Sequence, residues 1–232
     1  MFERGVDCGQ VQGHYMTITG DILKKICVEL EMDHANALAE ISNKLCIRYA
    51  IDTPTVYHEF IANVAHESGE FSIRKESLTY THPNRIVAVW PTRFNLTGLN
   101  NKFNANAYVN NPKALANVVY GGRMGNVQTD DGYNFVGGGF AQITGRDAYT
   151  MFTSFINSRD NTRFTITQVA KLVQSDDQWA FDSAFWFFAI FKNLEELATQ
   201  DNFRLLVKRW NGGFIGLEQR QKYYELAKQY IV

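Results

Sequence analysis

The sequence predicts a predominantly helical α+β fold in which residues 1–232 form a single domain. Apolar residues recur at helical spacing along most of the chain, and strand-like patterns are confined to short segments. The composition is that of a globular protein, with 45% hydrophobic and 20% charged residues in 232 positions. This length suits one sizeable core, and no repeat or linker divides the chain. Residues 1–16 are expected to be an N-terminal extension of unknown role.

Three helices are predicted near the N-terminus, each from a local signal. Thr19 and Asp21 can cap the first helix, and an apolar stripe defines the second. Pro54 lies where a proline is favoured, just inside a helix start, and Gly69 should end that third helix. The predicted helices cover residues 21–30, 34–48 and 54–69.

The middle of the chain has weaker patterns. Residues 71–80 predict a turn or short strand, and a brief helix is expected to break at Pro91. An asparagine-rich stretch at 95–111 is typical of a loop with short helical turns. Residues 114–120 predict a helix, and residues 127–139 predict a β-hairpin or a glycine-rich loop.

Helices dominate the C-terminal part. They are predicted at residues 147–157, 167–173, 178–191, 193–198, 201–210 and 217–230. The segment from Trp179 to Phe191 is apolar nearly all round, which places a helix at the centre of the fold. An aromatic groove for a ligand is the alternative for this segment.

Charge and hydropathy exclude several partner classes. A net charge of −1 disfavours nucleic-acid binding by bulk electrostatics, so no nucleic-acid partner is expected. The longest apolar run, Ala184 to Phe191, is far shorter than the roughly 20 residues of a membrane span, so no stable membrane insertion is expected. The first residues include Glu3 and Asp7 without an apolar core, which predicts no signal peptide.

Neither a metal nor a cofactor is expected. Cys8, Cys27 and Cys46 form no CxxC pair, and buried or idle thiols are the favoured interpretation. The segment HESGE, from His66 to Glu70, lacks the second histidine of a zinc-binding HExxH motif. A metal site that uses these side chains with His58 or His82 is the competing chemical hypothesis.

Three carboxylates surround the predicted helix end at Gly69. On one continuous helix, Glu67 and Glu76 would lie about 180° apart in angle and roughly 13 Å apart in rise. A turn at Gly69 would let them face each other across a gap that fits a sugar bond and a water molecule. Two carboxylates in different environments can divide acid and base roles in glycoside hydrolysis. From this spacing alone, solvated surface carboxylates remain the alternative, and Glu70 is interpreted as one.

Five ordered motifs carry a family resemblance. They are NVAHESGEF, ESLTY, VYGGRMGN with DGYNF, GGGFAQITGRDAY and RWNGGFIGLEQRQKYY. Over about residues 17–232 the chain resembles the family 19 chitinases, in particular their bacterial and phage endolysin branch. The resemblance implies a lysozyme-like, family 19 chitinase-like catalytic domain, with a deep cleft between two lobes of one folding unit.

The resemblance also implies roles for individual residues. Glu67 matches the general acid, Glu76 the general base, and Thr144 a residue that helps to hold the attacking water. The substrate-binding residues that it implies are Gln142, Asn211, Arg220, Tyr80 and Tyr133. Arg220 is expected to be tied to the carboxylates, and a nearby arginine would hold Glu76 ionised.

Other roles are open for these side chains, and the match is incomplete. Thr144 could instead cap a helix, Asn211 could end one, and Arg220 could form a surface ion pair. Where the family often carries arginines, residues 134–139 read NFVGGG, and Ala148 replaces an asparagine. These departures concern substrate recognition and leave the carboxylate pair in place.

The expected function is that of a peptidoglycan-degrading endolysin. It would hydrolyse the β-1,4 bond between N-acetylmuramic acid and N-acetylglucosamine by an inverting mechanism. The alternatives are a chitinase and a non-catalytic glycan-binding or structural module. The expected partner is the peptidoglycan glycan strand. A monomer made in the host cytoplasm would reach the wall from the periplasm after release through a separate holin-type pore.

Overall fold

The computed structural model describes residues 16–232, so Cys8 and nearly all of the predicted extension lie outside the described residues. This part of the chain is predominantly helical, as predicted. Its α-helices are α1 Gly20–Ile26, α2 Met32–Tyr49, α3 Pro54–Glu67, α4 Pro83–Val89, α5 Pro112–Tyr120, α6 Asp131–Asn134, α7 Arg146–Asp160, α8 Ile166–Val173, α9 Asp177–Trp186, α10 Glu195–Ala198, α11 Phe203–Asn211 and α12 Leu217–Tyr230. Within residues 16–232, no helix has the length and apolar character needed to cross a bilayer.

Helices α1 and α3 begin where the capping threonine and the proline predict. The Thr19 hydroxyl accepts a hydrogen bond from the Ile22 N–H at 3.2 Å, and Pro54 is the first residue of α3. Helix α1 ends at Ile26, earlier than predicted. The Lys24 ammonium donates to the Leu30 carbonyl at 2.8 Å, which satisfies a backbone group outside the helix.

Extended structure is sparse in the described chain. Strands β1 (Phe94–Asn95) and β2 (Phe103–Asn104) form a two-residue parallel pair inside the asparagine-rich stretch. A 3₁₀ turn, Ala105–Tyr108, follows it, which agrees with the predicted helical turns.

The β-hairpin alternative for residues 127–139 is wrong, and the glycine-rich loop is correct. The Asp131 carboxylate accepts the Gln128 N–H at 2.8 Å and pairs with Arg146 at 2.5 Å, which starts the short helix α6. Gly138 then forms single antiparallel bridges with Lys75 and Ile143, both outside the predicted hairpin. The segment therefore pairs with other parts of the chain.

Two apolar clusters define two lobes. The larger cluster contains the aromatic rings of α9, where Phe185 lies 4.3 Å from Phe60 and 5.3 Å from Phe181 between ring centres. The prediction of a central apolar helix is confirmed. The smaller cluster comprises Leu78, Ile86, Phe94, Ala105, Leu115, Ala116, Val119 and Val136. The chain passes between the lobes near residues 71–78 and again near 136–140, close to Glu76.

Helix α3 carries a buried carboxyl group, that of Glu59. The Glu59 side chain is fully buried, and neither carboxylate oxygen has a hydrogen-bond partner within residues 16–232. Burial raises the pKa of Glu59 from 4.5 to about 8, and nearby Asp201 adds to the increase while Lys228 opposes it. At neutral pH this side chain is therefore a neutral acid in the folded protein.

The stability of the protein should fall as pH rises from about 4.5 to about 8 because of Glu59. In this window the folded state holds a proton that the unfolded chain has released, so raising the pH favours unfolding. Relative to the Glu59→Gln variant, the wild type should lose up to about 1.4 kcal/mol of unfolding free energy per pH unit. Urea denaturation at pH 5 and pH 8 measures this difference. The exposed Glu196→Gln variant is the control, and a Glu59→Gln effect that is independent of pH would contradict the assignment.

Candidate active site

Glu67 is the last residue of α3 and is anchored by a buried arginine. The Arg220 guanidinium, on α12, donates from Nη2 to Glu67 Oε1 and from Nη1 to Asn63 Oδ1, the latter at 2.8 Å. Asn63 and Glu67 are four residues apart and so share a face of α3. Side-chain exposure is 2% for Arg220 and 20% for Glu67. The surface ion pair considered for Arg220 is therefore wrong, and Arg220 is tied to a candidate catalytic carboxylate.

The prediction that Arg220 also supports Glu76 is wrong. Both of its terminal nitrogens are bonded to side chains of α3, and the ion pair that it forms is with Glu67. Arg220 also does not line the cavity beside Glu67, so it does not occupy the substrate-contacting position expected of it. Helix α12 packs along α3, and this packing directs the guanidinium towards the carboxyl end of α3.

Glu76 is held by a different set of donors. The Tyr120 hydroxyl lies 2.8 Å from Oε1 and 2.9 Å from Oε2, and the Gly137 N–H donates to Oε2 at 3.2 Å. The backbone N–H of Glu76 in turn donates to the Gly137 carbonyl at 2.8 Å. Burial and the nearby Glu76 raise the pKa of Tyr120 above its ordinary value, so the phenol stays protonated and acts as a donor. Tyr120 lies in the VYGGRMGN motif but was not among the predicted site residues.

A cavity of about 340 Å³ brings four predicted site residues together. Its wall includes Glu67, Gln142, Thr144 and Asn211, which come from α3, the loop before α7 and the end of α11. The Thr144 hydroxyl donates to the Gln142 carbonyl at 3.0 Å. Thr144 does not cap α7, whose N-cap is Gly145, and the hydroxyl keeps lone pairs free to accept a hydrogen bond.

Asn211 is the last residue of α11, and the αL cap is the following residue, Gly212, with φ of 75°. The helix-end role considered for Asn211 is therefore filled by glycine. The Asn211 side chain is exposed on the cavity wall. This position leaves its amide available to a ligand.

Glu76 lines a neighbouring cavity of about 260 Å³ together with Tyr133. One side chain from each cavity, Glu76 and Gln142, lies close to Gly137. A Cβ at this glycine would lie 2.9 Å from Gln142 Oε1 and 3.3 Å from Glu76 Oε2. Any side chain there would crowd both groups. Because Gly137 has no side chain, the Gln142 amide, which also lines the cavity of Glu67, and the Glu76 carboxylate can both lie against it.

The two predicted stacking tyrosines are placed differently. Tyr133 lines the cavity of Glu76, and the Lys75 ammonium lies 4.6 Å from its ring centre. Tyr80 packs edge-on against Trp90 at 5.6 Å in the smaller lobe. Burial, followed by the charge of Glu76, raises the pKa of Tyr80. Tyr133 is the better placed of the two to meet a ligand.

Glu70 is not the solvated carboxylate that was predicted. It accepts hydrogen bonds from the Glu29 N–H at 2.8 Å and from the Tyr223 hydroxyl at 2.9 Å. It lines a third cavity, away from the wall that contains Glu67. Glu70 is half-buried and lies in the turn that follows α3, where its backbone is left-handed with a φ of 55°.

The thiols and histidines show no converging ligands. Cys27 and Cys46 are buried, and burial raises the pKa of both thiols, that of Cys46 to about 12. The prediction that thiols in this chain are buried is confirmed for these two. Burial, followed by the Arg220 charge, lowers the pKa of His66. Within residues 16–232, no group of three His, Cys, Asp or Glu side chains is arranged to hold a metal ion.

Removing the Tyr120 hydroxyl should weaken catalysis through Glu76. A hydrogen bond to a charged group contributes about 1.5–3 kcal/mol, so Tyr120→Phe should lower kcat roughly tenfold or more while KM changes little. The ring remains, so packing in the smaller lobe is preserved. Steady-state kinetics on a soluble glycan substrate measure the effect, with Tyr230→Phe as the matched control. An unchanged kcat would mean that Tyr120 does not hold the catalytic conformation of Glu76.

Comparison with known proteins supports the resemblance. No family model matches this chain. The chain is 29% identical over 175 residues to a glycosyl hydrolase family 19 domain-containing protein of Haemophilus influenzae, an alignment that covers 71% of this chain and 74% of that protein. Together with the helical architecture, this similarity confirms the predicted fold class. The protein has a predominantly helical, lysozyme-like or family 19 chitinase-like fold.

Proposed function

We propose that this protein is a peptidoglycan-degrading glycosidase of the endolysin type, which cleaves the β-1,4 bond between N-acetylmuramic acid and N-acetylglucosamine. The observation that carries the proposal is the arrangement of Glu67 and Glu76. Glu67 and Gln142 line one cavity and Glu76 lines another, and the side chains of Gln142 and Glu76 both lie close to Gly137. Each carboxylate has its own set of donors. Similarity to a protein named for glycosyl hydrolase family 19 supports a glycosidase that acts on glycans.

Glu67 is suited to the role of general acid. Arg220 donates to Oε1, and no hydrogen bond within residues 16–232 reaches Oε2 of this cavity-lining side chain. The proton that is delivered to the leaving glycosidic oxygen is therefore assigned to Oε2. Fixing Oε1 restricts the rotation of the carboxyl group, so the proton is presented in one orientation.

Glu76 is suited to the role of general base. Tyr120 and the Gly137 N–H orient the carboxylate, and a water held near Thr144 would give its proton to Glu76 as it attacks the anomeric carbon. The C–O bond to the leaving sugar breaks as the new bond to water forms. This is a single displacement, and it inverts the anomeric centre.

The endolysin role has further consequences, which are part of the same proposal. The enzyme would be a monomer made in the host cytoplasm, and it would reach the cell wall through a separate holin-type pore. Its partner would be the glycan strand, with no nucleic acid and no stable membrane insertion. A metal ion has no part in the mechanism, so EDTA should leave activity unchanged.

Digestion of purified peptidoglycan tests the bond that is cleaved. The products are reduced with borohydride and analysed by mass spectrometry, with Glu67→Gln as the inactive control. N-acetylmuramic acid at the new reducing ends is the expected result. Reduced glucosamine ends, or faster cleavage of chitin oligosaccharides than of peptidoglycan, would point to a glucosaminidase or chitinase. No cleavage of either substrate would favour a non-catalytic glycan-binding module.

Nuclear magnetic resonance of the first-formed product tests the stereochemistry. A soluble β-linked oligosaccharide should yield the α-anomer before mutarotation. A β-anomer that appears first, or a glycosyl group trapped on Glu76, would make Glu76 a nucleophile. The water-holding role of Thr144 would then be wrong.

A further inference from the structure

A single lysine lies on the wall of the cavity that contains Glu67. Lys192 follows the π-helical turn Phe187–Phe191, which extends α9. Its ammonium lies 5.4 Å from the ring centre of Phe187 and 6.0 Å from that of Phe191, and both rings line the same cavity. Such turns are often found at functional sites, and this one brings two aromatic rings and a cation onto one wall.

The Lys192 ammonium has no counterion among the residues that the structure describes. Its side chain is half-buried, yet it forms no ion pair with any Asp or Glu in the stretch from residue 16 to residue 232. Among residues 16–232, the other charged residue that lines this cavity is Glu67, and it is paired with Arg220. The aromatic faces compensate Lys192 only in part, because a cation–π contact is weaker than a desolvated ion pair. The ammonium is therefore available to an anionic group of a ligand.

The rest of this wall offers no competing cation. The side chains that line it besides Glu67 and Lys192 are uncharged. The loop at 134–139 does not line this cavity, and its Phe135 and Val136 are buried and apolar. Lys75 lies by the neighbouring cavity, where it faces the Tyr133 ring. Arg220, the other cation beside the candidate acid, does not line the cavity, so Lys192 is the cation on this wall that can meet an anionic group.

We propose that Lys192 is a specificity-determining residue that selects glycans with a carboxylate on the sugar beside the cleaved bond. This inference rests on the proposed function. Within peptidoglycan, that carboxylate is either the free lactyl group of N-acetylmuramic acid or an acidic group of the peptide attached to it. Chitin carries no such group, so the ammonium gives it no comparable advantage.

Kinetics on three soluble substrates test the proposal. They are chitin oligosaccharides, peptide-free glycan strands that contain N-acetylmuramic acid, and the same strands with peptides attached. An ion pair or charged hydrogen bond of about 1.5–3 kcal/mol predicts that Lys192→Met lowers the ratio of kcat/KM on muramyl strands to that on chitin roughly tenfold or more. Lys192→Arg should restore most of the ratio. A loss restricted to peptide-bearing strands identifies the peptide as the source of the carboxylate, and a loss on peptide-free strands identifies the lactyl group.

The matched control is Lys25→Met. Lys25 is also a lysine over an aromatic ring, 5.1 Å from the centre of Tyr230, but it lies on α1 outside this cavity. The Lys25→Met substitution should leave the ratio of kcat/KM on muramyl strands to kcat/KM on chitin unchanged. An equal effect of Lys192→Met on all three substrates would overturn the specificity role and leave the proposed function intact.

Binding measurements separate this inference from the proposed function. Calorimetry compares the affinity of Glu67→Gln and of Glu67→Gln/Lys192→Met for a peptide-free muramyl tetrasaccharide and for chitotetraose. A selective loss of muramyl binding supports the role of Lys192 even if the wild type cleaves chitin faster, a result that would overturn only the proposed function. Equal affinities for the muramyl ligand in the two variants would overturn the role of Lys192.

Discussion

Replacing Glu67 with glutamine should abolish hydrolysis without unfolding the protein. The amide keeps the shape of the side chain, and its oxygen can still accept the hydrogen bond from Arg220. It has no acidic proton for the leaving oxygen, and the loss of general acid catalysis should lower kcat by at least about 100-fold. The rate of glycan hydrolysis is measured beside a thermal melt followed by circular dichroism.

Glu70→Gln is the matched control, because Glu70 follows the same helix but lines a different cavity. It should retain most of the activity, although it is tied to Tyr223 and the Glu29 backbone and can lower stability. Glu76→Gln should be severely impaired, as expected for the base. Activity of Glu67→Gln above a tenth of the wild-type rate, or a Glu70→Gln variant that is inactive, would show that the carboxylates are wrongly paired.

Replacing Arg220 with methionine should destabilise the protein and remove its activity. The methionine keeps apolar packing between α3 and α12. It leaves the Glu67 carboxylate and the side-chain oxygen of Asn63, Oδ1, without the donor that they share. Removing one partner of a buried ion pair costs about 3–5 kcal/mol, and the partial exposure of Glu67 places this change near the lower end. Urea denaturation at neutral pH measures the loss of unfolding free energy, and kinetics measure the loss of kcat.

A double-mutant cycle separates stability from catalysis. Adding Glu67→Gln to Arg220→Met should recover part of the lost stability, because the unpaired carboxylate is then neutral. It should recover no activity. Arg220→Lys should be intermediate, since one ammonium cannot reproduce both bonds of the guanidinium. A loss below about 1 kcal/mol in Arg220→Met would mean that the pair contributes no more than an exposed ion pair.

Local features of the fold could be predicted because their physical causes are local. The Thr19 cap acts three residues away, and Pro54 favours a helix start through its own φ angle. The apolar periodicity of α2 and α12 defines helices whose bounds agree with the prediction to within about two residues. For residues 127–139 the β-hairpin alternative was wrong, because the alternation of Tyr133 and Phe135 resembled a strand. A salt bridge between Asp131 and Arg146, fifteen residues apart, supports a helical turn there instead.

The sequence predicted residues that line the two cavities of the candidate site, but it did not predict the side chains that hold them in place. Glu67, Thr144, Gln142 and Asn211 share a cavity wall, and Glu76 lies on the adjoining one. Asn63 and Tyr120 were missed, since an asparagine within an apolar helix and a tyrosine before two glycines carry no distinctive local pattern. Lys192 was missed for the same reason.

The sequence by itself determined the helical fold class, the helix starts and the candidate carboxylates, because these depend on side-chain type and on neighbours within a few positions. The tertiary structure decided what each carboxylate contacts. Glu67 receives its arginine from 153 positions along the chain, and Glu76 receives its tyrosine from 44 positions along the chain. Such pairings depend on how α12 packs against α3 and how the smaller lobe folds back to the loop at Gly137. Packing of distant segments is a property of the whole core, and no local pattern encodes which donor reaches which oxygen.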